Sequence, residues 1–278
     1  MKIGVSAFAW NFDFDATQIE VVRGLREQGI EGFEVPVFDP ARVDVAGLRK
    51  GLEAEGLEPT VCAILPAGIN PISPEATVRA RSLEHLKGVV RTAAELGATR
   101  AGGPVFAPIG YLPGRKRTAD EWAWAVECFQ ALDGTLEEYG VELSLEPVNR
   151  SETFLVTTAA DGNALVDAIG SPRIGVLIDT FHANIEEKNV ARAVASVGSR
   201  MKHVHISEND RGVPGSGHVD FPGIVAALKA SGYDGYLMIE GFGFDPRYTH
   251  DAIWRDPSLT PEDVALGGAR YLRGLLRG

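Results

Sequence analysis

Short apolar runs alternate with amphipathic ones along the whole chain. Eight runs read as strands: "KIGVSAF", "GFEVPVF", "EPTVCAIL", "ATRAGGPVF", "VELSLEPV", "RIGVLIDT", "MKHVHISE" and "GYLMIEGF". They are continuously apolar rather than alternating, the pattern of strands in a parallel sheet covered by helices on both faces. Between them stand stretches of helical periodicity, among them "TQIEVVRGLREQG", "TVRARSLEHLKGVVRTAAELG" and "DEWAWAVECFQALDGTLEEYG". Several of these predicted helices close on a glycine just before the next strand, as in "REQGIEGFEV", "AELGATRAG" and "EEYGVELSL", where a C-cap glycine belongs. Eight strand–helix units in 278 residues predict an α/β fold, a single (β/α)8 TIM barrel spanning 1–278 as one domain. No Pro/Ser-rich linker divides the units, and no G-x-G-x-x-G follows the first strand to favour a doubly wound sheet. The one Gly/Ser-rich loop, "RGVPGSGHVD" after the seventh strand, reads as a structural turn before an anion cradle.

Charged groups break the apolar pattern at equivalent places. In "GVLIDTFHANIEE" a buried-looking strand runs straight into Asp179 with no turn residue between, and His182 follows three residues later. Strand five ends in Glu146, strand seven carries His205, and strand eight carries Glu240. Glu146, Asp179, His205 and Glu240 are spaced 33, 26 and 35 positions apart, each close to one strand–helix unit. In a closed parallel barrel these four meet along one rim, at the carboxyl ends of the strands where such barrels carry their chemistry. Three carboxylates in an apolar mouth repel one another and shift toward the neutral form unless a cation holds them. Three oxygen donors and one imidazole suit a divalent ion such as Mn²⁺, Mg²⁺ or Co²⁺. His203, two before His205 and on the same side of the strand, reads as a hydrogen-bonded interior histidine. Glu34, inside the second strand, reads as a group that supports the site or the fold.

Charge and composition narrow the partners. With 38 acidic against 27 basic residues the net charge is −11, which disfavours nucleic acid as ligand. No run of about 18 apolar residues is present, and "MKIGVSAFAW" lacks a signal-peptide pattern. A cytoplasmic protein without membrane contact is the expectation. The two cysteines, Cys62 and Cys128, fall far apart on different predicted elements and read as ordinary buried thiols.

The segments "LEPVNRSET", "IDTFHANIEE", "HVHISENDRG", "GYDGYLMIEGF" and "IWRD" resemble the ketose 3-epimerases of the xylose isomerase-like barrel superfamily, the D-tagatose and D-psicose (D-allulose) 3-epimerases. The resemblance is close over the C-terminal half and rests on fold pattern over the N-terminal half. It implies metal ligation by Glu146, Asp179, His205 and Glu240, with Mn²⁺ first and Co²⁺ or Mg²⁺ as alternatives. It further implies substrate contacts from Glu152, His182 and Arg211. A small ketose is the implied ligand, and a homodimer or homotetramer the implied assembly. "SAFAW" after strand one, with Phe8 and Trp10, and "PVFAPIGYLPGRKR" after strand four depart from the family pattern. Trp122 and Trp124, two apart on a predicted helix, point to different faces, one toward the core and one toward an oligomer contact.

That activity makes chemical sense of two glutamates. A ketose carries its carbonyl at C2, which acidifies the hydrogen on C3. Epimerisation removes that proton from one face and returns one to the other, so a base is needed on each face. Glu146 and Glu240 are the expected pair. A hydroxypyruvate isomerase-like aldose–ketose isomerase and an inosose dehydratase-like lyase of the same superfamily are the nearest alternatives. A DNA-repair endonuclease on this barrel would need a histidine-rich multi-metal cluster. The chain has six histidines, only three near strand ends, and an acidic balance. A non-catalytic sugar-binding barrel would have no use for two bases.

Overall fold

The computed structural model describes residues 1–242 and 258–277. Eight parallel strands close into a barrel in sequence order: β1 (Lys2–Ser6), β2 (Gly32–Val37), β3 (Glu58–Ala63), β4 (Arg100–Gly103), β5 (Glu142–Leu145), β6 (Ile174–Asp179), β7 (Met201–Ile206) and β8 (Tyr236–Ile239). β8 pairs with β1 through Ile3–Leu237 and Val5–Ile239, so the sheet has no free edge. Around it run α1 (Val45–Ala54), α2 (Ala76–Leu96), α3 (Ala119–Tyr139), α4 (Ala159–Ile169), α5 (Thr180–Glu186), α6 (Val190–Val197), α7 (Phe221–Ala230) and α8 (Pro261–Arg277). Among the described residues no helix is long and apolar enough to cross a membrane. The "IWRD" segment and His250 lie outside the described residues.

All eight expected strands form, and local chemistry explains most helix ends. α3 starts in a capping box: Thr118 Oγ1 accepts from the Glu121 amide at 3.1 Å, and Glu121 Oε2 accepts from the Thr118 amide at 2.7 Å. α2 and α3 stop at Gly97 (φ +88°) and Gly140 (φ +65°), left-handed positions that glycine adopts without strain. The first unit differs from expectation. Where the periodicity of 17–29 predicts a helix, the chain forms a 3-10 helix over Ala16–Val22 and then turns. Thr17, Ile19, Val21 and Val22 are β-branched and crowd an α-helical turn, and Gly24 at φ +73° ends it.

Trp122 and Trp124 are both half-buried, and Trp122 packs against the hydrophobic core as expected for one of the two. Arg117 lies over the Trp122 ring and Arg79 over the Trp124 ring, each at 4.5 Å. An arginine of the chain thus covers each ring. Cys62 and Cys128 are free, buried thiols, as expected.

The barrel interior is asymmetric. Gly4 and Gly32 carry no side chain, and the space is taken by Met238 and Tyr236, whose atoms lie 2.6 Å from where each Cβ would stand. Gly103, at the end of β4, has φ +127°, and a Cβ there would strike the Ala63 carbonyl. Its own carbonyl accepts from the Glu146 amide at 3.1 Å, so this close strand approach sets the height of Glu146 at the barrel mouth. Gly103→Ala is therefore expected to lower unfolding free energy by at least about 2 kcal/mol, through strained φ and a backbone clash together. Urea denaturation measures this, and a variant as stable as the parent would contradict the packing account.

Candidate active site

The polar residues singled out by position converge at the carboxyl end of the barrel. Glu146 follows β5 directly, ahead of Pro147, which cannot donate to a sheet ladder and ends the strand. Asp179 closes β6 and caps α5, accepting from the Phe181 amide at 2.8 Å through Oδ1. His205 pairs in register with Asp179 on one side and with Met238 on the other. Glu240 follows β8, and its amide donates to the Ile206 carbonyl at 3.1 Å. All four are at most 4% exposed.

His205 Nδ1 faces the carboxylates of two different strands, 3.3 Å from Glu240 Oε1 and 3.7 Å from Glu146 Oε1. It is buried and makes no hydrogen bond. On the other side of the ring, Nε2 lies 3.0 Å from Glu34 Oε1. Glu34 Oε2 also meets His203 Nε2 at 2.9 Å and accepts from Thr60 Oγ1 at 3.2 Å. Glu34 thus receives both histidines of β7 across the barrel interior. His203 is the interior hydrogen-bonded histidine that its spacing implied.

Arg211 occupies the remaining side. Its Nη1 donates to Asp179 Oδ2 at 2.6 Å, Glu240 Oε2 at 2.7 Å and Ser207 Oγ at 2.5 Å. The guanidinium lies between the rings of Phe181 and Phe242, at 4.1 and 4.7 Å from their centroids. Its Nε has no hydrogen-bond partner although it is buried. His182, on α5, stands 3.3 Å from Arg211 Nη2, 3.6 Å from Asp179 Oδ2 and 3.9 Å from Glu146 Oε1. Glu152 is 3.8 Å from His182 Nδ1, and Asn149 Nδ2 links them, 2.7 Å from Glu152 Oε1 and 2.9 Å from His182 Nδ1. All seven residues singled out for ligand contact therefore border one space.

Among the described residues two sets of side chains have the proximity a metal ion requires. Glu34, Cys62, His205 and Glu240 each offer a ligand atom within 4.8 Å of the others, and Glu146, Asp179 and His182 form a second such group. The quartet read from strand ends is divided between these groups, with His205 Nδ1 facing across the division. A buried imidazole nitrogen with no hydrogen bond, turned toward two carboxylates, is the donor set that a divalent cation fits.

Charge in this space is strongly perturbed. Burial pushes the Glu146 carboxyl well above its ordinary range, and the nearby Glu240 and Asp179 add to the rise. Burial also acts against ionised Asp179, but the Arg211 guanidinium, His182, His205 and the Phe181 amide together outweigh it and hold that carboxyl at about 2. For His205, burial opposes the charge, and the Glu240 and Glu34 carboxylates overcome it and raise the imidazole well above its ordinary value. The same two imidazoles of β7 hold Glu34 well below the carboxylate range despite its burial. His182 is lowered by its burial.

Several contributors carried little or no signal in one dimension. Asn149, Ser207, Phe181 and Phe242 are ordinary residues whose roles come from what folds against them. Cys62 reads as a plain core thiol, yet it lines the site beside an aromatic cluster of Phe8, Phe12, Phe38 and Phe242. Phe8, in the divergent "SAFAW", is fully buried in that cluster. Trp10 is turned away to donate to Glu262 at 2.8 Å.

The fold and these residues lead to a family. Residues 22–274 match the xylose isomerase-like TIM barrel family, and the chain belongs to it, standing among its ketose 3-epimerases, which are isomerase-class enzymes. It is 34% identical to an L-ribulose 3-epimerase of Mesorhizobium japonicum over 99% of this chain and 93% of that one. It is 32% identical to a ketose 3-epimerase of Arthrobacter globiformis over 99% of this chain and 97% of that one. The crystal structure of a Methylomonas sp. D-allulose 3-epimerase in complex with D-allulose matches it with a TM-score of 0.89, at 28% identity, over 99% of this chain and 96% of that one.

Glu34 offers a direct test of the charge arrangement. Glu34→Gln removes the anion that His203 and His205 share in the dry interior, and breaking such a buried pair from one side costs on the order of 3 kcal/mol. Chemical denaturation at pH 7 is expected to show that loss, and a change near zero would mean the two histidines are satisfied without the carboxylate.

Proposed function

We propose that this protein is a metal-dependent 3-epimerase of free ketoses, of the kind represented by D-psicose, D-tagatose, D-fructose and L-ribulose. The observation that carries the reading is the pair Glu146 and Glu240. They come from β5 and β8, both are buried, and their carboxylates lie 3.7 and 3.3 Å from His205 Nδ1, a buried imidazole nitrogen with no hydrogen bond. The family relationship agrees with it.

Glu146, Asp179, His205 and Glu240 would hold a divalent ion, Mn²⁺ before Co²⁺ or Mg²⁺, and such an ion supplies polarisation of the C2 carbonyl and neutralisation of charge developing on the sugar oxygens. Proton movement belongs to the chain. One of Glu146 and Glu240 takes the proton from one face of C3, and the other returns a proton to the opposite face. Their roles exchange when the reaction runs backward. Arg211 has a buried, unpartnered Nε and an Nη2 free of carboxylate, and these donate to sugar oxygens beside the reacting carbon. His182 binds on the same side, oriented through Asn149 by Glu152. The Phe8, Phe12, Phe38 and Phe242 cluster excludes water from that chemistry.

The two arginines of the loop after β4 are already engaged, Arg115 with Glu121 at 2.7 Å and Arg117 with Asp161 at 2.9 Å, and Lys116 between them is exposed. This supports an unphosphorylated substrate over a sugar phosphate.

The test is incubation of the Mn²⁺-loaded protein with a panel of free ketoses in D₂O, followed by NMR. The expected product is the C3 epimer carrying deuterium at C3. An aldose with deuterium at C1 or C2 would instead make the protein an aldose–ketose isomerase, and no exchange with any ketose would remove the epimerase reading. Glu146→Gln and Glu240→Gln are each expected to lower kcat by about 10³-fold or more, since each removes a proton-transfer group and an ion ligand together. Normal turnover in either variant would overturn the two-base assignment.

A further inference from the structure

Glu208 is as buried as any residue in the chain, at 0% exposure, and the proposed chemistry does not use it. Among the described residues it forms no salt bridge. Its carboxylate instead gathers backbone N–H groups from the loop that follows β7. Oε1 accepts from Asn209 at 3.1 Å and from Val219 at 3.0 Å, and Oε2 accepts from Gly215 at 2.9 Å. The Gly/Ser-rich segment "RGVPGSGHVD" therefore does surround an anion, and that anion is the chain's own Glu208. At Gly217 the loop comes so close that a Cβ would stand 2.6 Å from Glu208 Oε1 and press on Asn209 Oδ1.

Within this loop stands Arg211, the only described residue other than glycine with positive φ, at +59°. Its amide donates to the Glu208 carbonyl at 3.0 Å. An arginine adopts that backbone conformation at a cost and keeps it only where its surroundings over-determine it. The far end of the loop reaches α5, where His218 Nε2 lies 3.1 Å from Asn184 Nδ2, two residues beyond His182.

We infer that Glu208 is a positioning residue for substrate binding: its carboxylate templates residues 209–219 and thereby holds Arg211 in the strained backbone that aims its guanidinium into the site. The inference rests on the reading of Arg211 as a sugar-binding group. Glu208 itself touches neither the sugar nor the reacting atoms. A carboxylate is required because all three contacts come from N–H donors. Glutamine would turn its own NH₂ toward one or two of them and open the loop.

The experiment is a double-mutant cycle on the epimerase reaction with Glu208→Gln, Arg211→Ala and the double variant, beside Glu208→Asp. Hydrogen exchange over 209–219 is followed in each protein. In Glu208→Gln the KM is expected to rise on the order of 10- to 100-fold, the worth of one charge-assisted hydrogen bond to the sugar, with a smaller change in kcat. The double variant is expected to be no worse than Arg211→Ala alone, because Glu208 acts through Arg211. Exchange over 209–219 should quicken in Glu208→Gln, and Glu208→Asp, which keeps the charge, should recover part of the affinity. If Glu208→Gln does not fold, Gly217→Ala displaces the same carboxylate and should give the same rise in KM. A KM within about twofold of the parent, or effects that add independently to those of Arg211→Ala, would overturn the inference. A parent protein inactive on every ketose would defeat the functional reading instead, and the exchange data would still report whether Glu208 templates the loop.

Discussion

Four carboxylates, Glu34, Glu146, Asp179 and Glu240, are packed into the dry end of the barrel, and the arrangement of the mouth follows from their mutual repulsion. Two like charges 4 Å apart oppose each other by about 4 kcal/mol at the effective dielectric of a protein, several times the value in water. Each acid answers this differently. Asp179 and Glu240 share the Arg211 guanidinium, and Glu34 shares the two imidazoles of β7. Among the described residues Glu146 meets no cation closer than the 3.7 Å of His205 Nδ1, and burial drives it toward its neutral form. A centre with excess negative charge and an unbonded imidazole nitrogen is one that a cation would suit.

The barrel supplies the rigidity this requires. Thr180 Oγ1 donates to the Ser207 carbonyl and accepts from its amide, both at 2.7 Å, fastening the end of β6 to the end of β7. Ser207 Oγ then donates to the Glu240 carbonyl at 2.9 Å and accepts from Arg211. Three successive strand ends are thus joined by short polar links that also touch the site, so the carboxylates have little freedom to relax apart. Loops add what the strands do not: Asn149 orients His182, and the segment after β7 brings in Arg211. The aromatic residues from the ends of β1, β2 and β8 close one side of the space with a surface that offers no competing hydrogen bonds.

Much of this was legible along the chain, for a definite reason. A strand in a parallel barrel is apolar on both faces, so a lone carboxylate at its end stands out. Asp179 after "GVLI" and Glu240 after "YLMI" are visible on that ground. Recurrence of such residues at one strand–helix interval identifies them as neighbours once closure is assumed. The 3-10 segment over Ala16–Val22 was not legible, because its hydrophobic spacing is helical while its β-branched residues and Gly24 resist the helix. The anion that the glycine-rich loop surrounds was also out of reach. Loop composition does not say whether its N–H groups face solvent or a side chain of their own.

By itself, then, the sequence determined the alternation of elements, the closed barrel that eight of them make, and which polar side chains end on its rim. Only the tertiary structure decided their partners. Glu34 and His203 are 169 positions apart, and their 2.9 Å contact exists because strand tilt and closure carry β2 and β7 to opposite walls of one narrow interior. The direction in which Arg211 points was settled the same way, by a backbone conformation that no local preference favours and that only the surrounding packing sustains. Periodicity is a property of neighbours along a chain. Distances across a barrel depend on how all eight strands close together.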